Sequence, residues 1–251
     1  MRRVPSFFAA ALAGAAAIGA GAQAAAAAGD PDCPLPVFGP GAGYHPQISP
    51  AGFGPDVTNP WFPLTPGTTL VYTGVKDDGK ALDVVKPSSR TRVIAGVTTR
   101  VVEDRLYLDN VLEERTSDYY AQDSCGNVWY FGEDTAELDA NGTVVSTDGS
   151  WHAGLDGAQP GLIMQEEPTV GRRFRQEFLS GEAEDTFKVL SLSASVKVPA
   201  GAFAGVMRTR ETTALEPGVL DNKYYVRGIG EVEEITVRGP SEALRLVEVI
   251  S

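Results

Sequence analysis

Thr91-Arg-Val-Ile-Ala-Gly-Val-Thr-Thr-Arg-Val-Val-Glu103 and Val196-Lys-Val-Pro-Ala-Gly-Ala-Phe-Ala-Gly-Val-Met-Arg-Thr-Arg-Glu211 share one plan, in which a β-branched run, small residues and a second alternating run follow each other. Alternation with period two places successive side chains on opposite faces of a strand. Outward from the first stretch lie Pro66-Gly67-Thr-Thr-Leu-Val-Tyr72 before it, and Asp118-Tyr119-Tyr120 and Gly126-Asn-Val128 after it. Outward from the second lie Val170-Gly171-Arg-Arg-Phe-Arg-Gln-Glu177, Lys223-Tyr224-Tyr225 and Gly230-Glu-Val232. The shared order predicts an internal duplication, with halves at about residues 67–133 and 171–238. From the Tyr-Tyr pair to the Gly the two halves differ by one residue, a difference that a turn or β-bulge absorbs.

Strand-like segments are expected at 68–75, 91–95, 98–109, 111–122, 127–133, 174–178, 186–193, 195–198, 205–213, 223–227, 230–238 and 243–250. Turns at Asp78-Gly79, Asn141-Gly142 and Ala200-Gly201 separate some of them. No segment has a convincing helical stripe. The fold class is therefore read as all-β: a curved antiparallel meander, bent into a half-barrel or incomplete barrel because a sheet of this many strands curls.

Residues 1–28 read as a signal peptide, with Arg2 and Arg3 ahead of the apolar run Phe7 to Ala22 and Ala-x-Ala sites near Ala22, Ala24 and Ala26. That run falls short of the roughly 20 residues a membrane span needs, and no later segment is long and apolar enough for one. The expected location is secreted, in the extracellular or periplasmic cell-envelope space. Residues 29–66 hold Pro and Gly with isolated aromatics and read as an extended arm anchored by Asn59-Pro-Trp-Phe-Pro-Leu64. Residues 67–251 form a single β-domain, with an irregular insert at 134–170 between the halves. Cys33 and Cys125 are the only cysteines and both follow the leader, so an oxidising compartment favours their pairing. That disulfide would close a loop of about 90 residues and contribute on the order of 4 kcal/mol on a chain-entropy model.

The chain has 21 Lys+Arg against 33 Asp+Glu, a net charge of −12, and the leader takes two of the arginines with it. Such a surface repels nucleic acid and anionic headgroups, so no nucleic-acid partner is expected. Cations, neutral glycans and apolar ligands stay open, as does the oligomeric state.

The arm Asn59 to Gly67, the block Tyr120-Ala-Gln-Asp-Ser-Cys-Gly-Asn-Val-Trp-Tyr-Phe-Gly-Glu-Asp134 and Gly149-Ser-Trp-His-Ala-Gly-Leu-Asp-Gly-Ala158 resemble an uncharacterised family of secreted bacterial proteins, over most of residues 56–250. More loosely, Val198-Pro-Ala-Gly-Ala-Phe203 and Tyr224-Tyr-Val-Arg-Gly-Ile-Gly230 look like elements of periplasmic half-barrel proteins related to the lipoprotein-carrier fold. The first resemblance transfers no activity. The second implies a concave sheet able to hold an acyl chain or peptide, and one fold hosts many functions.

No complete catalytic motif is present. Gly-x-Ser-x-Gly is missing, and the only histidines are His45 and His152. Ser150, His152 and Asp156 are neighbours in sequence, whereas triads assemble in space. Two histidines and two paired cysteines leave zinc short of ligands. No cofactor is expected; the alternative is an irregular calcium loop around Asp134, Glu137, Asp139, Asp148 and Asp156. Asp139-Ala-Asn141-Gly142 breaks the helix-loop-helix template, because its glycine comes two places early and Ser150 stands at the twelfth position.

Aromatic residues remain as ligand-binding candidates. Trp129 and Phe131 share one strand face and Tyr130 points to the other. Trp151 and His152, in the insert, are expected to border the main pocket. The functional expectation is a non-enzymatic binding or carrier-like module for an apolar, glycan or envelope-derived ligand. Its alternatives are a secreted hydrolase using acidic residues and a structural envelope protein.

Overall fold

The computed structural model describes residues 34–39 and 41–251; the leader and Cys33 lie outside them. In chain order the strands are β1 (Phe53–Gly54), β2 (Thr69–Lys76), β3 (Gly79–Ile94), β4 (Val97–Leu108), β5 (Val111–Asp123), β6 (Val128–Leu138), β7 (Val144–Ser146), β8 (Trp151–His152), β9 (Gln159–Met164), β10 (Arg173–Arg175), β11 (Glu177–Phe178), β12 (Asp185–Val198), β13 (Gly201–Thr213), β14 (Leu220–Val226), β15 (Gly230–Arg238) and β16 (Glu242–Ile250). All 16 belong to one sheet, ordered β10-β12-β13-β14-β15-β16-β2-β3-β4-β5-β6-β9-β11, with β1 on β5 and β7 and β8 on β6. Among the described residues the only helices are two three-residue 3₁₀ turns.

The sheet is antiparallel and almost closed into a barrel. Its ends, β10 and β11, are one chain segment interrupted at Gln176. Arg173 to Arg175 pair with β12, and Glu177 and Phe178 pair with β9. This segment changes partner midway and spans the single unsealed seam. The Gln176 N–H crosses to the Asp185 carbonyl at 2.8 Å.

Three two-residue turns fix the register of the first half: Asp77-Asp78, Ala95-Gly96 and Asp109-Asn110. Each has both residues at positive φ, the backbone of the type I′ hairpin turn whose twist matches its strands. The first lies one residue before the expected Asp78-Gly79 turn, because Asp tolerates the left-handed region well enough to leave Gly79 in the strand. β3 begins at Gly79, twelve residues ahead of its expected start at Thr91. Pro87, which has no N–H for the ladder, hides that length in the sequence, and the register skips between Pro87 and Thr91. The stretch 134–170, expected to be irregular, instead carries the end of β6 and the strands β7, β8 and β9, all paired within the sheet.

The arm runs over the outside. Phe38 lies beneath the Arg173 guanidinium, 4.3 Å from it, and Tyr44 donates to the Pro160 carbonyl at 3.0 Å. These contacts strap both sides of the seam. Further on, Phe53 packs edge-on against Trp129 and Phe131, at 6.0 and 5.5 Å. At Asn59 the chain turns across the barrel end. The fully buried Asn59 side chain accepts from the Trp61 N–H at 2.8 Å and donates to the carbonyls of Gly126 and Gln165.

Candidate functional site

The strand pairs β5–β6 and β14–β15 each deliver residues to the barrel interior across a similar register shift. In the first, Asp118 pairs with Glu133 and Tyr120 with Tyr130, across a register shift that takes up one extra residue of β6. In the second, Lys223 pairs with Glu234 and Tyr225 with Glu231, across a shift at the corresponding point. A bulge leaves the residues on either side of it facing as before while absorbing the insertion. Asp118, Tyr120, Lys223, Tyr225, Glu231 and Glu234 all line one cavity of about 190 Å³. Phe62, Pro63 and Leu64 of the arm form part of its wall, and Phe62 meets Tyr120 edge-on at 5.3 Å.

The wall is acidic. Asp83 of β3 and Asp104 of β4 join Asp118, Glu231 and Glu234, against one ammonium, Lys223. Burial pushes the Asp83 carboxyl up to about 10, reinforced by the charge of Asp104 and a hydrogen bond with it. Asp118 is pushed up to about 7 by burial and the charge of Asp104, although Tyr130 donates to it at 2.6 Å. Burial pushes Glu231 up to about 8 against the opposing pull of Lys223. Lys223 lies 3.5 Å from Glu211, 3.7 Å from Glu231 and 3.5 Å from Glu234. Burial disfavours its charge, yet these carboxylates hold its proton well above the usual range.

Gln176 Oε1, a buried oxygen on this wall, meets no donor, and Asp83 Oδ1 meets no N–H or hydroxyl, its carboxyl bonding only with that of Asp104. Asp83 is 8 % exposed and Gln176 6 %. The Gln176 amide spends its Nε2 on Glu211 Oε2 at 3.2 Å, which leaves its oxygen over. A buried acceptor without a donor costs about 1–3 kcal/mol, so such atoms call for an explanation.

The residues singled out in the sequence divide between two surfaces. Tyr130 turns inward, stacked on Tyr120 at 4.7 Å. Trp151 is 3 % exposed, edge-on to Tyr130 at 5.3 Å, and donates to Glu177 Oε2 at 3.1 Å. Trp129 and Phe131 lie under the arm. Trp129 donates to Asp123 Oδ2 at 3.0 Å and lines a second cavity, of about 260 Å³, between arm and sheet. His152 is on the outside, 2.9 Å from Asp134 Oδ1 and edge-on to Tyr119. Burial works against ionisation of Asp134, but hydrogen bonds from Tyr119 and Arg92 outweigh it and hold the carboxyl below its usual range. Neither Trp151 nor His152 lines the 190 Å³ cavity.

Sequence reasoning did not single out the interior charges, Asp83, Asp104, Asp118, Lys223, Glu231 and Glu234. The available signal was parity: in both halves an ionisable residue stands two places before the second Tyr of a Tyr-Tyr pair, on the same strand face. The acidic residues around the insert do not converge: among the described residues no group of three His, Cys, Asp or Glu is arranged to hold a metal ion. The expected Cys33–Cys125 bond has one end outside the described residues, and Cys125 is not free.

No protein-family model and no curated protein matches the chain. Two solved structures are similar at low identity. One is a proposed exported protein with a YmcC-like fold from Bacteroides fragilis, 13% identical, covering 76% of this chain and 99% of that one, with a TM-score of 0.44. The other is a proposed lipoprotein from Parabacteroides distasonis, 10% identical, covering 76% and 98%, with a TM-score of 0.42.

Proposed function

We propose that this chain is an extracytoplasmic binding module whose barrel interior holds a small ligand. The observation behind this reading is the buried Gln176 Oε1, which meets no donor, on the wall of one cavity with the Asp83 and Asp104 carboxyls. A cavity of about 150 Å³ is known to hold a benzene-sized molecule, so one of about 190 Å³ suits a ligand of comparable or slightly larger size. The lining argues against the acyl chain that the half-barrel resemblance suggested, because an apolar ligand would cover carboxyls without giving them a partner. Native mass spectrometry of protein purified from its own host tests the reading. The expected result is a bound mass of small-molecule size that disappears in the cavity-filling variant Ile163→Phe. Repeatedly ligand-free spectra would overturn it.

One observation favours a second reading, a hydrolase using acidic residues: Asp83 and Asp104 share a hydrogen bond, as paired carboxyls that hold one proton between them do. On that reading Asp83→Asn abolishes turnover of a hydrolysable substrate.

A further inference from the structure

The two halves place different groups at one equivalent position. In the second half Lys223 sits among Glu211, Glu231 and Glu234, so those carboxylates have a cation of their own. In the first half the matching residue is Asp118, beside Asp104 and Asp83. Among the described residues no ion pair reaches these three aspartates. The nearby Arg105 directs its Nη1 to the carbonyls of Asp104 and Thr116, and Lys76 pairs with Glu242 at 3.7 Å. The acidic group of the first half thus lacks the ammonium that its counterpart contains.

The buried oxygens of this wall say what would fill the place. Gln176 Oε1 can only accept, so the group it lacks must donate, and Asp83 accepts in the same way once it has given up its proton. Tyr72, Tyr120, Tyr225 and Phe62 put aromatic rings on the same wall, and ring faces attract organic cations. A metal ion fits less well, since no group of three acidic or His ligands converges among the described residues. Resting on the reading of the lumen as a ligand site, we infer that its ligand is a small organic ammonium ion, a short primary amine or diamine. Its N–H groups meet Asp83 Oδ1 and Gln176 Oε1, beside Asp104 and Asp118.

Entry of such a cation is an exchange of charge. Without it, burial keeps Asp83 and Asp118 protonated to higher pH than in water. An incoming ammonium favours the carboxylates, so binding expels protons and strengthens as pH rises, until the amine itself loses its proton near pH 10. The groups that set this balance are Asp83, Asp104 and Asp118 on β3 to β5, with Tyr72 and Tyr120. From the facing strands come Glu133 and Glu177, then Glu211, Lys223 and Tyr225, and finally Glu231 and Glu234. Lys223 opposes the cation, as do Arg105 and Lys76, whose charges also reach Asp104.

Isothermal titration with n-butylamine and 1,4-diaminobutane, against n-butanol and butyrate, at pH 6, 7.5 and 8.5, tests the inference. Both amines are expected to bind, at least tenfold more tightly at pH 8.5 than at pH 6, with protons released to the buffer; butanol and butyrate are expected not to bind. Asp83→Asn should weaken butylamine at least tenfold. Its melting temperature should hold, because an amide replaces a carboxyl that is already neutral in the empty lumen. Gln176→Leu should weaken binding in the same direction. Butanol binding as tightly as butylamine would overturn the ammonium assignment and leave the lumen a ligand site. Failure of both amines would overturn the assignment as well, and a co-purifying mass in host-derived protein would then decide separately whether the lumen binds anything.

Discussion

Gly161 is without a side chain because the backbone of the switch residue occupies the space: a Cβ there would stand 2.0 Å from the Gln176 carbonyl carbon and oxygen and 2.4 Å from the Glu177 nitrogen. Gly161→Ala must push β9 away from the seam, and a loss of roughly 2–3 kcal/mol is expected, read as a lowered denaturant midpoint. An unchanged midpoint would mean that the seam gives freely. At Trp151, burial, ring contact and the bond to Glu177 coincide, so Trp151→Ala should cost about 3–5 kcal/mol. His152→Ala, on the outside, should change stability far less, and equal losses in the two variants would contradict their placement on opposite faces. The opposed faces of Trp129 and Tyr130 were legible as plain strand alternation. The acidic interior was not, because a charged residue on a strand reads as solvent-facing unless the opposite face is known to be covered. Here the arm covers that face at Phe53, and only the folded chain shows it.

The elements show the same division between what alternation reveals and what partners decide. Strand existence followed from period two, while Pro87 broke the pattern of β3, Pro160-Gly161 that of β9, and β7 and β8 were too brief to have one. The order β2-β3-β4-β5-β6 is matched by β10-β12-β13-β14-β15, with the Tyr-Tyr pair on the fourth strand of each series. Superposing the two series should bring Tyr120 onto Tyr225 and Asp118 onto Lys223; a different pairing would reduce the duplication to shared hairpin chemistry. The arm is the element that the sequence described least, since its contacts join residues far apart, such as Arg175 to the Gly39 carbonyl at 2.9 Å. Removing residues 34–46 should abolish hydrogen-exchange protection at the Gln176 amide while most of the ladder keeps its own. Protection unchanged at Gln176 would show that the seam holds without its strap. For the cysteines, reduction of protein purified from its own host should raise its mass by about 2 Da, as expected for a Cys33–Cys125 bond. Alkylation of both thiols without reduction would rule that bond out.

Across the whole molecule, the raised carboxyls make stability depend on pH. Asp118 near 7, Glu177 and Glu231 near 8 and Glu133 near 9 all keep protons that the unfolded chain gives up near pH 4. Between those limits the folded state binds more protons than the unfolded one, so unfolding free energy falls as pH rises. The stabilisation is complete below the unfolded values and is lost through the folded ones. The melting temperature should therefore decline from pH 5 to pH 9, with each kcal/mol lost shifting it by roughly 2–4 °C in a domain of this size. A flat profile would mean that the interior carboxyls titrate as in water. The seam bears on another property, solubility. A sheet that fails to close offers two bare edges, each a template for pairing with a second molecule. Here those edges are three and two residues long, lie back to back on one chain segment and are strapped by the arm. Those two edges offer almost no free ladder for edge-to-edge association, and a chain without its strap should be the one that clumps.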